Sequence, residues 1–231
     1  MMNRTLELQP MVDSRPIREI AYEILKHAII SGEIQPGVRI VETDYADRLH
    51  ISRTPLREAL RKLERDRLVE YVMRRGCVVK AFNVEDVEEV YTIHNTLTML
   101  ALPAVVENAK PEDFVRLREK LKDMDASLDA GDIQTLSTQA RNFHNDLLSL
   151  SEKRRILSTI QTQDQFLTRF SAMAINKESH KGQSQQEHYQ LVAFVEARDL
   201  DAFRSLMQAH IETSKQCCIQ ALLEQKAMHQ Q

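Results

Sequence analysis

Ser52-Arg53-Thr54-Pro55-Leu56-Arg57-Glu58-Ala59-Leu60 is the stretch that decides how this chain folds. Leu56, Ala59, Leu60 and Leu63 recur at helical spacing on one face, while Arg53, Arg57, Arg61 and Lys62 lie elsewhere. Ser52 can cap this helix by accepting a bond from an early backbone N–H. Pro55 falls in the first turn, where its missing N–H costs little. Upstream, Ile17, Ile20, Ala21, Ile24, Leu25, Ala28 and Ile29 trace the face of an earlier helix that stops at Gly32. Pro36-Gly37 marks a turn, Val38–Val41 a short β-prone piece, and Thr43–Leu49 a second helix. Downstream the period changes to two. Leu68–Val72 and Cys77–Lys80 read as strands joined by Met73-Arg74-Arg75-Gly76, a hairpin with a basic tip.

Three helices followed by such a hairpin predict a winged helix-turn-helix over residues 15–81. The tight turn at His50-Ile51-Ser52 lets the N-terminal end of the third helix enter a major groove. Arg53 and Thr54 then point at base edges, and Arg57, one turn on, reaches a base or a phosphate. Arg74, Arg75 and Gly76 at the hairpin tip reach an adjacent minor groove or the backbone. Any one of these arginines alone reads as an ordinary solvated charge. Together they sit at the two places this geometry presents to DNA.

Charge and composition set the wider frame. Residues 1–80 carry 15 Lys+Arg against 12 Asp+Glu, whereas residues 81–231 carry 16 against 22, so a basic head precedes an acidic body. A DNA-architectural protein would be basic throughout. With 5 Gly, 6 Pro and 5% aromatic residues, the 231-residue chain is short of the turns and strands a sandwich or barrel needs. The longest apolar run, Met99–Val106, is far too short to span a bilayer, and the start lacks a signal-peptide core. Three cysteines, two of them adjacent, make no disulfide framework, so the expected location is the cytoplasm. Residues 1–14 are expected to form a tail. From Asn83, a helix cap, residues 82–231 read as an all-helical bundle with helices near 84–108, 111–130, 132–150, 152–175, 184–198 and 199–227. Asn176–Ser184 is the one long polar loop expected between them. The fold class is mostly α.

The string Ser52–Leu60, with Ile34-Gln35-Pro36-Gly37 before it and Arg75-Gly76 after it, resembles the DNA-binding domain of GntR-family bacterial transcription regulators. The resemblance implies that Arg53, Thr54 and Arg57 contact DNA from the recognition helix and that Gly76 contacts it from the wing. Thr43 matches a position where fatty-acid-responsive relatives carry an arginine to phosphate. A threonine there implies a weaker contact.

The helical body places histidines on inward stripes. His94 lies with Val87, Val90, Leu97 and Ala101; His144 with Ala140, Leu147 and Leu148. His188 lines up with Leu191, Val192 and Val195, and His210 with Phe203, Leu206, Met207 and Cys217. One such histidine is ordinarily a hydrogen-bonded core residue. Several converging ones raise a metal reading, because neutral imidazole is a common ligand for Zn²⁺ and similar ions. The same stretch resembles the FCD ligand-binding domain of the FadR branch of the family. Asn142-Phe143-His144, Glu187-His188 with Ala193 and Phe194, and Ala209-His210 match its three histidine sites in order. The resemblance implies a divalent metal on His144, His188 and His210. In the family an aspartate one turn before the first histidine completes the set; here Ala140 stands there, which implies weakened affinity. His94 stands where the family has an arginine.

The expected protein is therefore a ligand-responsive transcription regulator, a homodimer on a near-palindromic duplex, and the family resemblance implies a closely spaced TGGT/ACCA-like pair of half-sites. Its effector is expected to be a small anion, a carboxylate or sugar acid, with His94 and Arg169 as second contacts. The competing reading is an all-α metal-dependent enzyme with an accessory DNA-binding domain. That needs a general base beside the metal, and no carboxylate stands at helical spacing from the three histidines.

Overall fold

Leu56, Leu60 and Leu63 are fully buried and Ala59 nearly so, and around this face the N-terminal unit is built. The computed structural model describes residues 15–174 and 178–228, without the side chains of residues 163–165, 168–174, 178–181, 225, 226 and 228. The tail expected over 1–14 lies outside the described residues. The chain divides between Phe82 and Asn83 into two compact units.

The first unit contains α1 (Ile17–Ile30), β1 (Arg39–Ile40), α2 (Glu42–Arg48), α3 (Arg53–Arg65), β2 (Val69–Val72) and β3 (Gly76–Val79). Leu25, Ala28 and Ile29 lie on the buried face of α1 that the spacing predicted, and α1 packs on α3. The strands form an antiparallel sheet in the order β1-β3-β2, with Arg39 opposite Val78 and Tyr71 opposite Cys77. Between α2 and α3 the chain turns at His50, whose φ of 51° is left-handed. Its amide donates to Asp47 and that of Ile51 to Ala46, which satisfies the last carbonyls of α2 and aims α3.

Two local expectations are corrected. Ser52 is the N-cap residue with extended φ and ψ, but its side chain makes no capping bond. Gly76 is not in the hairpin loop; it is the first residue of β3, paired with Val72, and its φ of 78° lets the chain re-enter the strand after Met73-Arg74-Arg75. Lys62, off the apolar face of α3 as its spacing predicts, places its ammonium 3.8 Å from the centre of the Tyr22 ring. Tyr22 is itself pinned through its hydroxyl to Asp66.

The second unit is a bundle of α4 (Val84–Asn108), α5 (Pro111–Asp129), α6 (Ile133–Ser149), α7 (Arg154–Ala174), α8 (Glu178–Glu196) and α9 (Leu200–Met228). Asn83 opens it with a reciprocal cap: the Asp86 amide donates to Asn83 Oδ1 at 2.7 Å, and the Asn83 amide to Asp86 Oδ2 at 3.0 Å. Helix α4 packs on α6, α7 and α9, and α5 on α6 and α8. Fully buried Phe143, Leu147, Leu191, Val195 and Phe203 fill the centre. The long loop expected over Asn176–Ser184 is corrected. Residues 178–184 belong to α8, whose first turns are too polar to show a helical stripe; residues 176 and 177 lie outside the described residues.

Candidate functional site

Arg53 and Thr54 occupy the first turn of α3 and are exposed, as are Arg74 and Arg75 at the hairpin tip. Arg57 is exposed too, but it is not a lone charge. Its Nε donates to Glu42 Oε2 at 2.6 Å across the turn from α2. This bond uses one edge of the guanidinium. The Nη pair, the edge that bonds a guanine bidentately, stays available. Thr43 donates its hydroxyl to Asp44 at 3.1 Å, so the group nearest it is an acid, which disfavours a phosphate contact. Sequence spacing alone did not reveal Glu42, because it lies 15 residues from its partner.

In the second unit α6, α8 and α9 bring His144, His188 and His210 to one point. His144 Nε2 lies 3.1 Å from His188 Nε2 and 3.2 Å from His210 Nε2. The far nitrogens fix the tautomers. Gln185 Nε2 donates to the Leu121 carbonyl at 2.9 Å and to Asp125 Oδ1 at 2.7 Å, so its Oε1 must face His188 Nδ1, 3.3 Å away. His188 therefore carries its proton on Nδ1. His210 Nδ1 likewise donates to Glu187 Oε2 at 2.7 Å. Both assignments turn the Nε2 lone pairs toward the shared centre, where three nitrogens so close require a proton or a cation between them. The donor set fits a borderline divalent ion such as Zn²⁺. Phe143 backs it, with its ring centroid 5.0 Å from that of His188.

Glu187 stands at helical spacing from none of the three histidines. A carboxylate does reach the histidine set, from the residue beside His188, although it bonds the far nitrogen of His210 rather than facing the centre. Burial, and then the neighbouring imidazoles, holds His144 and His188 well below the ordinary histidine pKa. His94 is lowered to about 4, first by burial and then by the charge of His210.

The histidines open on a cavity of about 230 Å³. Ala140 lines it, so no carboxylate stands one turn before His144. His94 and Thr98 of α4 line it as well, with Ser137 and Arg141 of α6. Arg169 lies on α7, but its side chain is outside the described residues. The guanidinium in the described lining is that of Arg141. The signal that could have found it is its i−3 spacing from His144. Cys217 and Cys218 both reach the cavity; Cys218 is the buried one and stands 3.2 Å from the Tyr91 hydroxyl.

Buried neutral imidazoles make stability depend on pH. His94 titrates at an ordinary 6.5 when unfolded and at about 4 when folded, so between these values the unfolded chain binds more protons. Stability is therefore full above about pH 6.5 and falls as pH drops toward 4. The loss amounts to a few kcal/mol, at about 1.4 kcal/mol for each tenfold difference in proton affinity between the folded and unfolded chain. Denaturant titration of the chelated protein at pH 7.5, 6 and 5 checks this. A flat profile would contradict it.

A winged helix-turn-helix and an all-helical unit holding a buried histidine centre and a ligand-sized cavity define a class: a DNA-binding regulator that senses a small molecule. Comparison with known proteins agrees. Residues 17–79 match the family described as bacterial regulatory proteins, gntR family, and residues 89–213 match the FCD domain. The chain belongs to the GntR family and carries an FCD domain. It is 28% identical over 191 residues to the HTH-type transcriptional regulator YdhC of Bacillus subtilis, covering 82% of this chain and 85% of that one. It is 27% identical over 185 residues to the Nta operon transcriptional regulator of Aminobacter aminovorans, covering 79% and 85%. Escherichia coli McbR/YncC shares the fold, with a TM-score of 0.71 at 20% identity over 92% of this chain and 99% of that structure. The protein is a ligand-responsive, DNA-binding transcription regulator. Among its described residues no helix is long and apolar enough to cross a membrane.

Proposed function

We propose that the chain acts as a cytoplasmic homodimer that grips a near-palindromic operator through the first turn of α3 and the hairpin tip. Arg53, Thr54 and Arg57 read bases, Ser52 lies against the backbone, Thr43 beside Asp44 adds only a weak contact there, and Arg74, Arg75 and Gly76 engage the duplex from the wing. One winged unit offers few base contacts, and two-fold symmetry supplies the second half-site. His144, His188 and His210 hold a divalent ion. A small carboxylate or sugar acid occupies the cavity beside it and changes operator affinity by favouring one of two arrangements of the dimer.

The observation that carries this reading is the convergence of three Nε2 atoms, with the far nitrogens of His188 and His210 already engaged by Gln185 and Glu187. A bound ion would supply the positive charge and open positions that attract an oxygen anion. Arg141 and His94 are the side chains of this cavity that would meet the rest of the ligand, with Arg169 a further contact. The enzyme alternative is less well supported: the described lining contains no Asp or Glu to act as a base, and the relatives are named as regulators.

Elemental analysis of the purified protein, followed by thermal-shift screening of organic and sugar acids with and without a chelator, tests the sensing half. Metal at about one per chain and an acid whose stabilisation vanishes on chelation are expected. A stabilising ligand that is neutral, or whose effect survives both metal removal and His94→Ala, would overturn the site. Sedimentation of the protein with operator DNA tests the other half, and a monomer on a single half-site would sink it.

A further inference from the structure

Two buried polar atoms of the cavity have no hydrogen-bond partner among the described residues: Thr98 Oγ1 and His94 Nδ1. Thr98 is 1% exposed. Both residues line the cavity and lie four apart on α4, hence on one face of the helix. An unsatisfied buried polar atom costs about 1–3 kcal/mol, and a hydrophobic residue at either place would avoid that cost. Two such atoms side by side in a ligand-sized cavity are explained by a ligand group that satisfies them.

The chemistry of that group follows from theirs. A threonine hydroxyl both donates and accepts, and an imidazole Nδ1 donates in one tautomer and accepts in the other. Only a group that also does both suits the pair in every arrangement. A carboxylate accepts only, and at this place it would meet a neutral hydroxyl and an imidazole held uncharged by its burial, not a cation. The single guanidinium of the described lining is Arg141 on α6. We propose that Thr98 and His94 form a hydroxyl-reading pair, so that the effector is a hydroxylated acid rather than a plain or dicarboxylic one. This rests on the effector reading given above and narrows its ligand class.

Pentanoate, glutarate and xylonate have the same five-carbon chain and differ in carrying no further polar group, a second carboxylate, or a hydroxyl on every remaining carbon. Their binding to the full-length, metal-loaded protein is measured by calorimetry in wild type, Thr98→Val and His94→Leu. Xylonate is expected to bind at least about tenfold more tightly than the other two, because a site built to bond a hydroxyl discriminates strongly against analogues lacking it. Thr98→Val removes the hydroxyl at nearly constant volume and should cost xylonate most of that advantage while leaving pentanoate unchanged or tighter. The unliganded Thr98→Val protein should melt no lower than wild type, since it loses an unsatisfied group. Pentanoate or glutarate matching xylonate in wild type would overturn the pair, as would unchanged xylonate affinity in both variants. Should none of the three acids bind, the effector reading itself would fall, and with it this refinement.

Discussion

Arg53→Ala and Arg57→Ala are each expected to weaken operator binding by roughly 1–3 kcal/mol, the worth of a good bidentate contact to a base. Both side chains project from the start of α3, the end that a helix-turn-helix inserts into the major groove. Their losses should shrink sharply on non-operator DNA, where no guanine is read. Arg74→Ala, at the hairpin tip, should weaken both duplexes alike and reduce the salt slope by about one unit, as expected for a phosphate contact. The Arg57 result has a further test. Glu42→Ala frees the Arg57 guanidinium from its 2.6 Å bond and should relax discrimination at the same base pair, whereas Glu42→Gln keeps an acceptor and should relax it less. Filter-binding titrations on operator, point-mutated operator and random duplex at three salt concentrations separate these outcomes. Equal losses for Arg53, Arg57 and Arg74 variants on every duplex would remove the division between reading and positioning.

What the sequence reveals about these sites depends on whether the information is local. The stretch around Arg53 is legible because its leucines and its arginines fall on separate helical faces within a few turns. The three histidines are legible for a similar reason: each sits on an apolar stripe of its own helix, so each points inward whatever the helices do next. The bonds between elements are not legible in this way. Glu42 meets Arg57 only after the turn at His50 sets the angle between α2 and α3. Glu187 reaches His210 across two helices, and Gln185 reaches Asp125 and the Leu121 carbonyl across another pair. Arg141 is an intermediate case. It shares the stripe of Ala140 and His144, but a lone arginine on such a stripe reads as solvated until a cavity is seen beside it. The start of α8 was hidden because its early residues are polar on all sides.

Removing any one of the three histidines should abolish stoichiometric metal, because losing an outer-shell partner alone commonly costs about 10–100-fold in affinity and a direct ligand costs more. The sharper expectation runs the other way. Ala140 lies one helical turn before His144 and lines the same cavity. Ala140→Asp would place a carboxylate beside a centre made otherwise of neutral imidazoles. A divalent ion gains charge attraction from it, so affinity should rise by about tenfold or more, or about 1.4 kcal/mol. Ala140→Asn has nearly the same shape without the charge and should gain far less. Competition with a calibrated chelator measures the three proteins on one scale. In metal-free solution Ala140→Asp should lose stability, since an unpaired carboxylate would then face a half-buried site, and zinc should restore it past wild type. No metal in wild type or in Ala140→Asp would mean that the histidines are packing residues. In that event their mutual hydrogen bonds, with a proton on His144 Nε2 shared between the other two, must account for their burial.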